Sequence, residues 1–336
     1  MKRSAFVKST ALLLIDPLRS SLMEENMKVL LPPFLKPGDT IGICSPAGYI
    51  NAGKIEPCVR MLEEWGFKVK VGLSVGQQWN IFGGTDEQRI ADFQNMLNDT
   101  SIAAIMCARG GYGMVRIIDR IDFSVLRKQP KWIMGFSDIT VLHAHLNRQL
   151  RVASIHSKMC NSFPDPGESL TDEQAFSLLS IKENLTGAGN YSFPATAFNR
   201  LGDVEAELVG GNLKTIESLS GTASDIKTDG KILFVEDTGE YLYSIDRMFW
   251  NLLRTGKLSK LKGLMIGGMK IRPDDPGEEF GMTLEDIVLE KLKEFNYPVA
   301  FGLPVGHQKY NVAVKCGARY RLSVNNTETR LSEVSG

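Results

Sequence analysis

The sequence lacks the features that mark a nucleic-acid-binding, membrane-spanning or disulfide-stabilised protein. Lysine plus arginine equals aspartate plus glutamate at 39 each in 336 residues, so no net field attracts an anionic partner. No segment approaches the roughly 20 consecutive apolar residues that span a bilayer. The five cysteines are scattered without a CxxC pair, which disfavours a disulfide framework or zinc site and favours a reducing compartment. This composition favours a globular protein with a small substrate and with neither nucleic-acid nor membrane partners.

The first thirty residues carry little fold signal. Basic residues precede a short apolar stretch from Ala11 to Ile15, which runs directly into Asp16 and Pro17. The stretch is shorter than a signal-peptide core and has no A-x-A cleavage pattern. We interpret residues 1–30 as a poorly ordered extension or an upstream start, with a cleavable export signal as the alternative.

From Thr40 onward, short apolar strands alternate with amphipathic helices. This alternation is typical of βαβ units, and continuous apolar runs such as SIAAIMCA are typical of parallel strands buried on both faces. Residues 31–165 are therefore predicted to form a doubly wound parallel sheet. Its helices are predicted over INAGKIEPCVRMLEEWGF, TDEQRIADFQNMLND, MVRIIDRI and SDITVLHAHLNRQL.

A second domain is predicted over residues 201–333. Residues 166–200 have weak periodicity and frequent Pro, Gly, Ser and Thr, which indicates a connection between the domains, with one helix inside it. Strands and helices alternate again after residue 201, and the last strands form a predicted β-hairpin about Asn325-Asn326. The chain contains no internal repeat and no low-complexity tract.

The segment GFSDIT, residues 135–140, follows a predicted strand and begins a predicted helix. A serine at such a turn projects its hydroxyl at the carboxyl edge of the sheet, and the next N–H group, that of Asp138, can hold an oxyanion. Ile139 occupies the place of the second glycine of G-x-S-x-G, so the match is incomplete. The alternative is that Ser137 or Asp138 caps the helix.

The segment ARGGYG, residues 108–113, is a second turn between a buried strand and a helix. Its N–H groups are suited to receive an anion or a carbonyl oxygen. The spacing is neither G-x-G-x-x-G nor a P-loop, so nucleotide binding has weak support. A flexible glycine turn is the alternative.

An acid and a base follow predicted strands of the second domain. Glu236 ends the apolar strand KILFVE, and His307 follows the turn Pro304-Val305-Gly306. Ligands of open α/β sheets bind at the carboxyl ends of strands, and a charge at the end of an apolar run needs a partner. Packing or exposure explains His143 and His145, whereas His156 is a candidate pocket lining.

Five segments taken in order, ARGGYG, GFSDIT, LVGGN, LFVED and PVGH, resemble the LD-carboxypeptidase family of serine peptidases. This family includes muramoyl-tetrapeptide carboxypeptidases and microcin C immunity proteins, and the resemblance covers Pro32 to Val324. It implies an N-terminal flavodoxin-like domain and a C-terminal β/α domain with the active site between them. It also implies a cytoplasmic homodimer that needs no metal or cofactor. One departure is IHSKM, residues 155–159, where members often have His-Gly-Pro.

The resemblance also implies roles for individual residues. Ser137 matches the nucleophile, Glu236 the triad carboxylate and His307 the base. The turn Gly110-Gly111 and the N–H group of Asp138 match the expected oxyanion hole.

The terminal carboxylate of a substrate needs a cation. Arg109 is a candidate clamp for it, because guanidinium binds carboxylate bidentately, and a surface salt bridge is the alternative. Tyr112, Glu240 and Tyr241 are candidate pocket walls.

The function implied by the resemblance is hydrolysis of a murein tetrapeptide, a small peptide substrate, between the L-centre of meso-diaminopimelate and terminal D-alanine. One alternative is a hydrolase of the same fold that detoxifies a microcin C-like aminoacyl-nucleotide. Another is a non-catalytic small-molecule binding protein, because two α/β lobes around a cleft also describe solute-binding proteins. Reaction of Ser137 with a serine probe discriminates an enzyme from a binding protein.

Overall fold

The computed structural model describes residues 28–165 and 167–334. Most of the predicted extension, residues 1–27, lies outside the described residues. At the beginning of the described chain, the Leu30 N–H group donates a hydrogen bond of 2.7 Å to the carbonyl oxygen of Arg151. No helix among the described residues has the length and apolar character needed to cross a membrane.

The first sheet contains five parallel strands in the order β2-β1-β3-β4-β5, which is the flavodoxin-like order of a doubly wound sheet. This confirms the predicted fold class of the N-terminal half. The strands are β1 (Thr40–Cys44), β2 (Lys68–Val71), β3 (Ile102–Cys107), β4 (Trp132–Gly135) and β5 (Ser154–His156). The α-helices between them are α1 (Glu56–Glu64), α2 (Asp86–Asn98), α3 (Val125–Lys128) and α4 (Thr140–His145).

Local sequence accounts for these elements. Five of the six residues of β3 are fully shielded from solvent, as expected for an apolar strand between two layers of helices. Thr85 begins α2 with a capping box, in which Thr85 and Gln88 each accept a hydrogen bond from the other's backbone N–H group.

Two predicted helices differ from the structure. The segment MVRIIDRI forms two short 3₁₀ turns, Met114–Arg116 and Ile118–Arg120, and no α-helix. Its β-branched residues lower its helix propensity. The segment SDITVLHAHLNRQL is helical, but it changes from a 3₁₀ turn through α4 to a π-helical turn at Leu146–Leu150.

The second sheet has seven strands in the order β10-β9-β8-β7-β12-β13-β6, parallel from β10 to β7 and antiparallel beyond. Its strands are β6 (Asn190–Pro194), β7 (Gly202–Asn212), β8 (Ile232–Thr238), β9 (Gly263–Lys270), β10 (Val299–Ala300), β12 (Arg319–Val324) and β13 (Glu328–Glu333). The helices of this half are α5 (Asp172–Thr186), α6 (Leu213–Ser218), α7 (Leu242–Arg254) and α8 (Leu284–Lys291).

The predicted hairpin about Asn325-Asn326 is confirmed as β12 and β13. The predicted connection over residues 166–200 contains the expected helix, α5, and also contains β6, which pairs with β13. The strand β11 (Val314–Cys316) returns to the first sheet and pairs antiparallel with β5. The predicted boundaries between the domains stay predictions.

The two lobes meet beside α4. The Asn212 N–H group at the end of β7 donates a hydrogen bond of 3.0 Å to the Thr140 hydroxyl on α4. Asn147 and Arg151 of the first lobe bind the Glu207 carboxylate on β7. The carboxyl ends of β4 and β8 therefore face one another across a cleft.

Candidate active site

Ser137 lies at a sharp turn between β4 and α4. β4 ends at Gly135, and Ser137 has a φ of 63°, in the left-handed region that a side chain rarely adopts. No side chain caps either the 3₁₀ turn that begins at Ser137 or α4, so the structure does not support the capping alternative. A strained turn that exposes a serine between a strand and a helix is the backbone geometry of a nucleophile elbow.

A buried histidine, His143, stabilises the turn by a hydrogen bond to Gly135. The Nε2 atom of His143 lies 2.9 Å from the Gly135 carbonyl oxygen, and its Nδ1 atom lies 2.8 Å from the Ser154 hydroxyl. Because a carbonyl only accepts, Nε2 carries the proton and Nδ1 accepts from Ser154. Burial lowers the pKa of His143 to about 4, so the imidazole is neutral at pH 7.

His307 bridges Ser137 and Glu236. Its Nε2 atom lies 3.2 Å from the Ser137 hydroxyl oxygen, and its Nδ1 atom lies 2.6 Å from Oε2 of Glu236. The His307 backbone N–H group donates to the same Oε2 atom at 3.2 Å. The carboxylate of Glu236 is fully buried, whereas the His307 side chain is 19% exposed. Since the carboxylate accepts from Nδ1–H, Nε2 is left free to accept the serine proton.

Gly306 allows the loop before His307 to lie close to the side chain of Glu236. Its φ is 108°, and a Cβ atom there would lie 2.4 Å from Cβ of Glu236 and 2.5 Å from its Oε2 atom. Both the backbone conformation and the space exclude a side chain. The Gly306 N–H group donates to Oδ1 of Asn311 at 2.8 Å, which holds the loop before His307 in place.

A cluster of aromatic rings in tilted and edge-on contact packs against His307. The ring centroid of Phe136 is 4.9 Å from that of His307 and 5.8 Å from that of His156. His156 is fully buried, and neither of its ring nitrogens has a hydrogen-bond partner among the described residues. Burial lowers its pKa well below the usual value, so the ring is a neutral packing group and does not line the cleft.

The glycine turn lies against Ser137, as its candidate role requires. A Cβ atom at Gly110 would be 3.0 Å from Cβ of Ser137. The Gly110 carbonyl accepts a hydrogen bond from the Gly48 N–H group, whereas the N–H groups of Gly110 and Gly111 are unused by the described residues. The buried Asp138 carboxylate holds the neighbouring Met114 N–H group at 2.8 Å, and burial raises the pKa of Asp138 to about 6.

A cleft of about 300 Å³ opens beside Ser137 between the two lobes. The first lobe contributes Gly111, Tyr112 and Asp138 to its wall, and the second contributes Asn212, Lys214, Asp237 and Glu240. The structure thus brings seven sequence-predicted residues to one place: Ser137, Glu236, His307, Gly111, Asp138, Tyr112 and Glu240. Gly110 joins them through its contact with Ser137.

The predicted clamp Arg109 and the predicted pocket wall Tyr241 do not line this cleft. Arg109 is exposed, and its guanidinium donates to the carbonyl oxygen of Tyr49 at 2.8 Å. Its role as a carboxylate clamp stays a prediction. The Tyr241 hydroxyl donates to Asp275 at 3.3 Å, and its ring stacks on Tyr243 with 5.5 Å between centroids. Glu240 accepts a hydrogen bond from the Ser244 hydroxyl.

Sequence reasoning missed three polar residues that line this cleft, Asn212, Lys214 and Asp237, and also Lys158, which is outside its lining. Asn212 caps α6 and donates to Asp237 at 3.0 Å, and Asp237 also accepts from the Lys214 N–H group at 2.8 Å. Lys158 lies near the loop after His307. The sequence signal was present for Asn212 and Asp237, which end LVGGN and LFVED. Among the described residues, no group of three or more His, Cys, Asp or Glu side chains is arranged to hold a metal ion.

The chain is similar to known proteins along most of its length. Residues 41–157 match the family model described as the LD-carboxypeptidase N-terminal domain, and residues 205–322 match the LD-carboxypeptidase C-terminal domain. A probable murein peptide carboxypeptidase of Bacillus subtilis is 34% identical over 291 residues, covering 86% of this chain and 90% of that protein. The microcin C7 self-immunity protein of Escherichia coli is 24% identical over 93% of this chain and 98% of its own length.

A solved structure has the same architecture. The crystal structure of muramoyltetrapeptide carboxypeptidase from Oxalobacter formigenes aligns with a TM-score of 0.77 and 28% sequence identity. The alignment covers 88% of this chain and 99% of that one. The two-lobe architecture of this chain is therefore also found in a relative of known structure.

Proposed function

This chain belongs to the LD-carboxypeptidase family, and from that premise we propose that it is a serine carboxypeptidase acting on a murein tetrapeptide. The observation that carries the serine mechanism is the continuous relay from Ser137 through His307 to the buried Glu236. The names of the relatives from Bacillus subtilis and Oxalobacter formigenes support the substrate class. The proposed reaction releases terminal D-alanine and supports recycling of the cell wall.

The proposed chemistry is acyl transfer. His307 removes the proton from Ser137 as the serine oxygen attacks the amide carbonyl, and a covalent acyl-enzyme forms. His307 then donates that proton to the departing amine, so the amine leaves neutral. Water attacks the acyl-enzyme with His307 again as base, which releases the acid and restores the serine hydroxyl. General base catalysis of this kind contributes about 10²–10⁴-fold.

The developing oxyanion needs donors on the Ser137 side of the cleft. The Asp138 N–H group follows the nucleophile directly, and the turn Gly110-Gly111, whose N–H groups are unused by the described residues, approaches Ser137 at Gly110. A single preorganised donor is worth about 10²–10³-fold in kcat. The left-handed φ of Ser137 is typical of a nucleophile elbow, in which the N–H group that follows the serine contributes to the oxyanion hole.

The substitution Ser137→Ala tests the proposal. Hydrolysis of a murein tetrapeptide should fall by at least about 10⁴-fold, because both the nucleophile and its activation are lost. Mass spectrometry of the products from the tetrapeptide, the tripeptide and an all-L tetrapeptide measures activity and position of cleavage. Ser218→Ala is the matched control, since Ser218 lines the same cleft and its hydroxyl donates only to a backbone carbonyl.

Retention of tetrapeptide hydrolysis by Ser137→Ala would refute the serine mechanism. The similarity to the microcin C7 self-immunity protein supports the alternative hydrolase function, detoxification of an aminoacyl-nucleotide. An aminoacyl-sulfamoyl nucleotide is therefore added to the substrate panel to distinguish that function from tetrapeptide hydrolysis. Turnover of the nucleotide without the tetrapeptide would replace the proposed substrate. Failure of Ser137 to react with a fluorophosphonate would favour a binding protein.

The homodimer and the cytoplasmic location implied by the family stay predictions. Analytical ultracentrifugation of the full chain measures the first. Fractionation of cells measures the second.

A further inference from the structure

Lys158 lies beside the loop that follows His307 and has no carboxylate partner among the described residues. It follows β5 by two residues, and its side chain is partly buried. Its Nζ atom donates to the carbonyl oxygen of Gln308 at 3.4 Å, and among the described residues no carboxylate forms an ion pair with it. Burial lowers the pKa of Lys158 from its usual value, and no neighbouring charge offsets that effect.

The segment that carries Lys158 is held firmly against the nucleophile turn. The Ser157 N–H group donates to the Gly135 carbonyl oxygen at 3.0 Å. On the other side of Lys158, the Met159 Cε atom lies 3.3 Å from the position of a Cβ atom at Gly110. Lys158 therefore extends from the Ser137 side of the cleft to the residue that follows His307.

The proposed reaction determines where the leaving residue must lie. His307 gives its proton to the departing amine, so that amine lies against the imidazole during the reaction. In a carboxypeptidase the terminal carboxylate is two bonds from this amine. A cation that binds the carboxylate must consequently stand on the His307 side of the cleft. Lys158 meets this requirement through Gln308, whereas the Arg109 guanidinium is engaged at the Tyr49 carbonyl.

We propose that Lys158 binds the C-terminal carboxylate of the leaving residue and so restricts the enzyme to peptides that end in a free carboxylate. This inference rests on the proposed function and adds a specificity-determining residue to it. The partly buried ammonium has no carboxylate counter-charge among the described residues, and the substrate supplies one. A cation of this kind contributes most where neither partner retains its full water shell.

The test compares a murein tetrapeptide with its C-terminal amide. Wild-type protein should hydrolyse the free acid in preference to the amide. Lys158→Met should lower kcat/KM for the acid by about 10- to 100-fold, mainly through KM, since a charge-assisted hydrogen bond is lost. The amide should change by less than about threefold, so the preference collapses. Lys158→Arg keeps the charge and should retain most of the preference.

Lys309→Met is the matched control, because Lys309 is an exposed lysine one residue beyond Gln308. It removes the same charge from the neighbouring loop and should preserve the preference for the acid. An equal loss in Lys309→Met, or an equal loss for acid and amide in Lys158→Met, overturns the proposal. Labelling of Ser137 by a fluorophosphonate should proceed at the wild-type rate in Lys158→Met. Loss of that labelling would show that Lys158 supports the nucleophile and would also overturn it.

Different results refute the proposed function and the role of Lys158. Wild-type protein that hydrolyses no tetrapeptide refutes the proposed function together with this inference. Wild-type activity with an unchanged acid-to-amide ratio in Lys158→Met refutes the inference alone.

Discussion

Replacement of Glu236 by glutamine is the sharpest test of the relay, because it changes one atom of a fully buried side chain. Oε2 of Glu236 accepts two donors from His307, the ring Nδ1–H at 2.6 Å and the backbone N–H at 3.2 Å. Oε1 is buried and has no hydrogen-bond partner among the described residues. A glutamine at this position must place its NH₂ group at one of these two sites.

Both orientations of the amide are unfavourable for catalysis. With the NH₂ group at the Oε1 site, a buried donor has no acceptor, at a cost of about 1–3 kcal/mol, and the imidazolium loses its counter-charge. With the NH₂ group at the Oε2 site, it faces the His307 N–H group and requires Nδ1 as acceptor. The ring proton then moves to Nε2, which no longer accepts from Ser137.

We therefore expect Glu236→Gln to lower kcat roughly 10⁴-fold, the scale of the matching Asp→Asn change in a serine protease triad. This corresponds to about 5 kcal/mol of lost transition-state stabilisation. Stability should fall by no more than about 3 kcal/mol, because the substitution keeps the side-chain volume and leaves at most one buried donor unpaired. Activity and folding are thus separated in one variant.

The assay is steady-state hydrolysis of the tetrapeptide together with denaturant unfolding. Asp237→Asn is the matched control, since Asp237 is the next residue on β8 and bonds to Asn212, Lys214 and Thr238 but not to His307. It should retain kcat within about tenfold. Glu236→Gln with kcat within tenfold of wild type would refute the reasoning.

Two further predictions concern the support of the nucleophile turn. Burial raises the folded-state pKa of Asp138 to about 6, so the folded protein binds this proton more tightly than the unfolded chain does, and stability falls as the pH rises from about 4 to 6. Asp138→Asn should therefore gain about 2 kcal/mol relative to wild type between pH 4 and pH 7, measured by denaturant unfolding; a difference that does not vary with pH would contradict this. His143→Leu removes the hydrogen bond to Gly135 and should lower kcat by more than tenfold with little change in KM, whereas His143→Gln can restore a donor there and should recover most of kcat. His145→Gln on the same helix is the control, and equal kcat values for the leucine and glutamine variants of His143 would rule out the positioning role.

Apolar runs made the strands predictable. The segments IAAIMC and ILFVED are long enough and apolar enough to be strands buried on both faces, and they form β3 and most of β8. Thr85 and Thr171 begin predicted helices with capping boxes, so local hydrogen bonding and periodicity agree there. These elements depend on interactions between residues close in sequence.

Elements that depend on distant partners were not predictable. The strand β11 pairs with β5 across some 160 residues of sequence, and β6 pairs with β13 from within the predicted connection. MVRIIDRI has an apolar periodicity that favours a helix, yet it forms two 3₁₀ turns, and its Met114 N–H group bonds to Asp138, 24 residues away. Pairing with a distant segment leaves no signal in the local sequence pattern, because the partner lies far away in the sequence.

The sequence by itself determined the two α/β halves and the residue types of the site, because strand burial, helix capping and the glycine turns are local in their physics. Only the tertiary structure decided that the imidazole at 307 lies between the hydroxyl at 137 and the carboxylate at 236. It also decided that His143 bonds to Gly135, that His156 packs in the core, and that Lys158 lies at the Gln308 carbonyl. Distances between residues far apart in sequence depend on how the two sheets pack, and packing is a property of the whole chain.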